Sequence, residues 1–120
     1  MYVQKTGELT EDWEHRAWGY AGRGEGKNNP DMQSVKGIGP IPVGLYHPEA
    51  PVNHPVVGLY AIRLVPHPDN EMFGRSSFLM HGDSRQHPGE ASHGCIVVDP
   101  ATRRAYWESG DKLLRVVSGV

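Results

Sequence analysis

The stretch Leu59-Tyr60-Ala61-Ile62-Arg63-Leu64-Val65 decides the fold class, because nearly every position in it is apolar and several are β-branched or aromatic. A run of this length and composition predicts a β-strand. Since the apolar positions are continuous and do not alternate with polar ones, the pattern favours a strand that is covered on both faces. We therefore place this strand at the centre of a sheet.

Further short runs of the same kind predict a mainly β fold, because each is bounded by Gly, Pro or Asn. Fifteen Gly and ten Pro residues support this interpretation, since they favour many turns and short elements. A length of 120 residues predicts one domain, spanning residues 1–120. The other predicted strands are Tyr2–Thr6, Arg16–Tyr20, Gly44–Tyr46, Phe78–His81, Cys95–Val98 and Lys112–Val117.

One helix is predicted directly after the strand that begins with the single cysteine. Asp99 is a suitable N-cap, Pro100 suits the first turn, and the helix continues from Ala101 to Ser109 before Gly110 ends it. The glycine-rich segment Gly22–Pro30 predicts a loop that leads into a short turn near Asp31. The expected content is therefore many strands with one or two short helices.

Charge and composition exclude several classes of function. The net charge is −2 and the basic residues are scattered, which argues against a nucleic acid partner. One cysteine cannot form an intrachain disulfide or a multi-cysteine zinc site. No segment approaches the roughly 20 apolar residues of a membrane span, so membrane insertion is not expected. The N-terminal residues 1–7 lack the apolar core of a signal peptide, which predicts either a protein that a secretion system delivers or a catalytic domain separated from its export signal.

The single cysteine lies in the motif Ser92-His93-Gly94-Cys95 and is a candidate nucleophile. Only about 3% of an ordinary thiol is ionised at pH 7, so a neighbouring imidazole that accepts its proton is a large gain. His81 and His93 are both candidates for this base, and we prefer His81 because it lies at a strand end beside a loop. The alternative is that Cys95 is a small buried hydrophobic residue without a chemical role.

Two further residues near this motif have candidate roles in substrate binding. Gly94 could let the backbone N–H groups of Gly94 and Cys95 turn towards a developing oxyanion. Arg75 could bind a substrate carboxylate with two parallel hydrogen bonds, or it could be solvated, and the sequence does not choose between the two.

The three tryptophans could line a glycan groove, but we expect them in the core because aromatic rings bury a large area. They are Trp13, Trp18 and Trp107.

A metal site is the alternative chemistry, because nitrogen, oxygen and sulfur ligands occur within fifteen residues. Three of these side chains could surround a catalytic zinc ion, although their spacing is not that of a known zinc motif. The candidate ligands are His81, Asp83, His87, His93 and Cys95.

The order of two motifs resembles the L,D-transpeptidase (YkuD-like) family. His81-Gly82 followed by Ser92-His93-Gly94-Cys95-Ile96 is similar to the active-site signature of that family, and residues 39–46 resemble its strand entry. Three further segments resemble a small branch of the family that is delivered as antibacterial type VI secretion effectors. They are residues 24–30, residues 72–76 and residues 109–111, so the resemblance covers nearly the whole chain.

This resemblance implies an L,D-transpeptidase-like β-sandwich and a cysteine acyl-transferase that acts on peptidoglycan stem tetrapeptides. Cys95 would attack the carbonyl carbon of the third stem residue, usually diaminopimelate, and expel the terminal D-alanine. His81 would be the base, and the backbone carbonyl of Gly82 would orient its imidazole. No cofactor or metal is implied, and a monomer is expected. The residues assigned to the oxyanion pocket or to substrate binding are Ser92, His93, Gly94, Asp83 and Arg75.

The chain departs from the family pattern at two places. Ten residues separate His81 from Ser92, fewer than in most cell-wall-building members, and Val97 stands where the family commonly has Asn or Arg. Both departures concern recognition of the acceptor, so we expect L,D-carboxypeptidase and exchange activity more than cross-linking. The effector resemblance implies action in the periplasm of a target bacterium and a cognate immunity protein that covers Cys95. The alternatives are a zinc-dependent peptidoglycan hydrolase and a non-catalytic wall-binding module.

Overall fold

The computed structural model describes residues 1–119, which form ten β-strands, one α-helix and two short 3₁₀ turns. The mainly β prediction is confirmed. The 3₁₀ turns span Gly24–Gly26 and Pro30–Met32, and the helix α1 spans Pro100–Glu108. The strands are β1 (Tyr2–Val3), β2 (Glu8–Glu11), β3 (Glu14–Trp18), β4 (Tyr20–Ala21), β5 (Gly44–Pro48), β6 (Val52–His54), β7 (Gly58–Pro66), β8 (Leu79–His81), β9 (Ile96–Val97) and β10 (Leu114–Val117).

The strands form one curled sheet in the order β3-β2-β1-β10-β5-β7-β8-β9-β4, with β6 paired to β7. Its two end strands, β3 and β4, are separated in sequence only by Gly19. The ends of the sheet therefore meet, and the result is a nearly closed barrel or sandwich. A side chain at Gly19 would lie 2.2 Å from the carbonyl oxygen of Val97, so only glycine permits this close passage.

The predicted central strand is β7, which pairs with three other strands as expected for the centre of a sheet. The prediction that both its faces are covered is wrong. Ile62 and Leu64 are buried while Arg63 and Val65 are exposed, which is the alternation of a strand with one solvent face. Leu59 is apolar but 72% exposed, so the apolar run in the sequence overstates how much of the strand is buried.

The helix α1 begins and ends as predicted. The side chain of Asp99 accepts a 2.6 Å hydrogen bond from the N–H of Thr102, and Gly110 follows the helix with a φ of 75°. Arg103 and Tyr106 are the buried residues of the helix. It packs against β7 and β8, so it supports the strand that carries His81.

The core lies inside the curled sheet, and two of the three tryptophans are outside it. Trp13 is 93% exposed and Trp18 is 65% exposed, so the expectation that they fill the core is wrong. Both lie on the hairpin of β2 and β3, at an edge of the sheet where no further layer covers them. Trp107 is half-buried and packs against the core. Within residues 1–119, no helix has the length and apolar composition needed to cross a bilayer.

Candidate functional site

Cys95 lies in an open cleft of about 220 Å³, immediately before β9. Its sulfur accepts a hydrogen bond of 3.3 Å from the backbone N–H of Leu79, and it lies 4.0 Å from the carbonyl oxygen of Ser77. The thiol is partly buried but reaches the cleft, so Cys95 is not the fully buried hydrophobic residue of the alternative interpretation. The cleft is lined by Lys36, Gly37, Gly74, Arg75, Ser76, Ser77, Phe78, His93 and Cys95.

His81 is the last residue of β8, and its imidazole is held in one orientation. Nδ1 lies 2.8 Å from the carbonyl oxygen of Gly82. A carbonyl can only accept a hydrogen bond, so Nδ1 carries the proton and Nε2 of the neutral ring is left with a lone pair. Burial lowers the pKa of His81, and the charge of Arg103 adds to this, whereas the bond to Gly82 opposes it. His81 is therefore a neutral imidazole with one free basic nitrogen near neutral pH.

The parallel pairing of β8 with β9 brings His81 and Cys95 to the same part of the sheet. Met80 is paired with Ile96, and His81 is paired with Val97. The same register places Cys95 beside Leu79, which is the residue two positions before His81 on β8. Residues two apart on a strand share a face, which places Leu79 and His81 on one side of β8. Within residues 1–119, no hydrogen bond joins the sulfur to the imidazole, and catalytic hydrogen bonds of this kind commonly tighten only when substrate binds.

The electrostatic setting keeps the thiol protonated. Burial raises the pKa of Cys95, while the amides of Leu79 and Cys95 and the charge of Arg75 act in the opposite direction and only partly offset it. A raised thiol pKa and a lowered imidazole pKa both disfavour a resting thiolate–imidazolium pair. The site can instead transfer the proton from sulfur to Nε2 as the sulfur attacks, which is general base catalysis.

Ser92 fixes the turn that precedes Cys95. Its buried hydroxyl donates a 2.6 Å hydrogen bond to the carbonyl of Cys95 and accepts bonds from the N–H groups of Gly22 (2.9 Å) and Gly94 (3.0 Å). One donor and two acceptors fill the capacity of a hydroxyl. The structure therefore gives Ser92 a positioning role, which differs from the substrate contact that the resemblance implied.

Gly94 has a φ of 137°, a conformation that L side chains rarely adopt. A Cβ there would lie 2.6 Å from the guanidinium of Arg75 and 2.8 Å from the ring of Phe78. Its N–H, however, already donates to Ser92. The expectation that this amide turns towards an oxyanion therefore does not hold in the described geometry.

Arg75 is only 6% exposed, so the solvated alternative is wrong. Its guanidinium donates to four backbone carbonyls, and it does not point freely into solvent as a carboxylate clamp would. These bonds tie together the segments on either side of the cleft, including the backbone of His93. The acceptors are the carbonyls of Gln33, Gly39, Pro40 and His93.

His93 is exposed and lines the cleft beside Cys95. Its Nδ1 lies 3.3 Å from the carbonyl oxygen of Gly37. The ring therefore bridges the cysteine turn and the segment across the cleft, where a substrate would pass. Of the two histidines considered as base, His81 is the one whose orientation is fixed by a short hydrogen bond.

Asp83 organises the loop between the motifs that contain His81 and Cys95. Its carboxylate accepts a 2.6 Å bond from the hydroxyl of Tyr20 and further bonds from the N–H groups of Ser84 and Gly89. Burial would raise the pKa of Asp83, but these bonds and the charge of Lys27 lower it overall. Gly82 and Asp83 line a second cleft of about 730 Å³ rather than the cleft of Cys95. Asp83 is thus placed to shape the loop and not to contact a substrate at the sulfur.

The zinc alternative lacks a ligand cluster. Among residues 1–119, no three His, Cys, Asp or Glu side chains are placed to hold one metal ion. Asp83 is engaged with Tyr20, and His87 lies 3.8 Å from Glu90. The five candidates share a stretch of sequence but do not converge in space.

Sequence analysis missed two features of the site. Lys36 lines the cleft, although it lies almost sixty residues before Cys95 and belongs to no motif. The N–H of Leu79 binds the sulfur, which follows from the register of β8 and β9 and not from the identity of a side chain. No pattern in one sequence identifies either contact.

A comparison with protein families gives one match: the model described as Tlde1 domain covers residues 15–117. No curated protein and no solved structure matches the chain. The matched range contains both motifs of the resemblance and eight of the ten strands of the described residues in whole or in part, β1 and β2 being outside it. It agrees with the effector branch of the resemblance. The chain belongs to the Tlde1 domain family of type VI secretion effectors.

Proposed function

We propose that this effector is a cysteine acyl-transferase that removes or exchanges the terminal D-alanine of peptidoglycan stem tetrapeptides. The observation that carries the proposal is that the proposed nucleophile is accessible and the proposed base is held in one orientation. The thiol of Cys95 is accessible from an open cleft, and His81 is held by Gly82 so that its Nε2 is the free basic atom. These are the nucleophile and the base that acyl transfer requires.

In the first half-reaction, the sulfur of Cys95 attacks the carbonyl carbon of the third stem residue, and the thiol proton passes to Nε2 of His81. The peptide C–N bond then breaks, and the amine of the departing D-alanine takes that proton. A thioester joins the stem peptide to Cys95. The N–H of Leu79, which now binds the sulfur, supports negative charge there as the thiol loses its proton.

In the second half-reaction, His81 removes a proton from the acceptor, and the acceptor attacks the thioester. Water gives L,D-carboxypeptidase activity, whereas a free D-amino acid gives exchange. The thioester C–S bond breaks, and the Cys95 thiolate that is released from the acyl carbon recovers the proton from His81. The short loop between the motifs is pinned by Asp83 and Tyr20, and Val97 offers no polar group for a second stem. Both features support small acceptors over cross-linking.

Membership of an effector family supports an inference about the biological setting. We infer that the protein acts in the periplasm of a target bacterium, where stem peptides are exposed. A producing cell would then need an immunity protein, and occupation of the cleft at Cys95 would suffice to block the enzyme. Co-expression of the enzyme with candidate immunity proteins tests this inference, because the true partner should restore growth.

Incubation of the purified protein with tetrapeptide-stem muropeptides tests the proposed activity. Mass spectrometry should show the loss of one alanine or its replacement by an added D-amino acid. The reaction should persist with a chelator and disappear in the Cys95→Ala variant. Sensitivity to chelator would instead support a zinc hydrolase, and unchanged masses with retained binding would support a wall-binding module.

A further inference from the structure

The cleft at Cys95 carries positive charge and no negative charge from the described residues that line it. Lys36 and Arg75 are the charged residues of the lining, and no Asp or Glu of residues 1–119 is part of it. Lys36 is exposed, and no carboxylate of the described chain lies within ion-pair distance of its ammonium. A cleft of this composition attracts anionic groups.

The charge of Arg75 has no anionic partner inside the protein. Its buried guanidinium is satisfied by backbone carbonyls, and no carboxylate of residues 1–119 forms an ion pair with it. Carbonyl dipoles satisfy its hydrogen bonds but leave its net charge in place. Buried charges are ordinarily paired, so an uncompensated one beside an open cleft points to a counter-charge supplied by a ligand.

We propose that Lys36 binds a carboxylate of the stem peptide directly, and that the buried charge of Arg75 strengthens the binding. The inference rests on the proposed function and adds the recognised group to it. Arg75 is not assigned this contact, because the four N–H groups on its two terminal nitrogens already donate to backbone carbonyls. Lys36 can, since it is exposed, lines the same cleft and forms no ion pair with a carboxylate of the described residues. The stem offers two nearby carboxylates, that of the terminal D-alanine and that of the diaminopimelate side chain.

Lys36→Met tests this assignment, because the change removes the charge and keeps the length of the side chain. We expect KM for the tetrapeptide to rise about tenfold or more, with kcat little changed, because a hydrogen bond between charged groups is lost. Lys36→Arg should restore most of the affinity. Lys5→Met is the matched control, since Lys5 is exposed and does not line the cleft. Equal KM values for the Lys36→Met and Lys5→Met variants would overturn the proposal.

Amidated substrates identify the carboxylate. Wild-type protein is assayed on the free tetrapeptide, on the terminal D-alaninamide and on the diaminopimelate side-chain amide. One of the two amides lacks the carboxylate that Lys36 recognises. The wild type should bind that amide as poorly as Lys36→Met binds the free acid. Lys36→Met should bind the same amide no more weakly than the wild type does. A Lys36→Met penalty of the same size on all three substrates would overturn the assignment.

Binding to an inactive variant separates this inference from the proposed chemistry. Titration of the tetrapeptide into Cys95→Ala and into Cys95→Ala/Lys36→Met reports recognition without turnover. We expect binding to the first variant that weakens with salt, and about tenfold weaker binding to the second. A wild-type protein that binds in this way but releases no D-alanine would contradict the proposed function alone. Equal affinities of the two variants would contradict the role of Lys36 alone.

Discussion

The Nδ1 atom of His81 lies 2.8 Å from the carbonyl oxygen of Gly82, the next residue in the chain. This contact between two adjacent residues decides which nitrogen of the neutral ring can accept a proton. Because a carbonyl must accept, the ring holds its proton on Nδ1, and the orientation needs no carboxylate as third member of a triad. The glycine also matters sterically, since a Cβ at Gly82 would lie 3.0 Å from the guanidinium of Arg103.

The pH profile of the reaction should reflect a base that is neutral over most of the acidic range. Burial lowers the pKa of His81 below its ordinary 6.5, so the catalytically competent neutral form persists below that pH. We expect kcat/KM to stay near its plateau at pH 6.5 and to fall only at lower pH. Rates of D-alanine release between about pH 4 and pH 9 measure this. A fall already centred at or above pH 6.5 would contradict the assignment.

The same shift affects stability. The unfolded chain binds a proton at His81 near pH 6.5, whereas the folded protein resists it, so the free energy of unfolding should decrease as the pH falls below 6.5.

His81→Ala should reduce turnover by about 10² to 10⁴-fold through loss of proton transfer. His87→Ala is the control, because His87 is exposed in the loop and should leave the rate almost unchanged.

Alkylation of Cys95 should be slow at neutral pH. Burial raises the pKa of the thiol above its ordinary 9.0, and the amides of Leu79 and Cys95 and the charge of Arg75 only partly oppose this. The rate of reaction with iodoacetamide should therefore climb through pH 9 without a plateau at neutral pH, since the thiolate is the reactive form. A plateau already reached near pH 7 would show a resting thiolate–imidazolium pair. In that case, His81→Ala would also lower the alkylation rate at neutral pH.

Ser92→Ala should destabilise the turn that presents Cys95. The change leaves the buried N–H groups of Gly22 and Gly94 and the carbonyl of Cys95 without their partner. We expect a loss of about 2–3 kcal/mol in the free energy of unfolding, since buried polar groups without partners are costly. Chemical denaturation measures this loss. Ser34→Ala, at an exposed position, should change stability by less than about 0.5 kcal/mol.

Activity distinguishes a positioning role of Ser92 from a purely structural one. If Ser92 holds the sulfur in place, kcat should fall at temperatures where the variant is fully folded, while KM changes little. An unchanged kcat in the folded variant would show that the turn keeps its geometry without the hydroxyl.

Local patterns in the sequence were sufficient for the helix and for most strands. Asp99 and Gly110 mark the ends of α1 because capping and C-terminal glycine act within a few residues. Strand β2 was missed, since Glu8–Glu11 is mostly polar and its place is set by pairing with β1 and β3. Strand β6 was missed for the same reason, because Val52–His54 is held by its partner β7.

For the candidate site, the motifs of the sequence pointed to Cys95 and His81, and the resemblance implied the roles that we propose for them. The sequence could not reveal which groups accept hydrogen bonds from Arg75, because a guanidinium that can bind a carboxylate can equally bind four carbonyls. Nor could it place Lys36, whose position depends on how residues 33–40 fold across the cleft. Contacts between backbone atoms and distant segments become visible only when the chain has folded.

Gly94→Ala should be among the most damaging small changes in the protein. Alanine does not tolerate a φ of 137°, and its Cβ would lie 2.6 Å from Arg75 and 2.8 Å from Phe78. Strain and steric conflict together should lower the free energy of unfolding by about 2–5 kcal/mol. Gly110→Ala is the matched control, because Gly110 also has a positive φ, 75°, but nothing lies within 4 Å of its added Cβ. It should lose only about 1 kcal/mol, from strain alone. Equal losses in the two variants, measured by chemical denaturation, would show that the contacts of Gly94 with Arg75 and Phe78 do not shape the turn before Cys95.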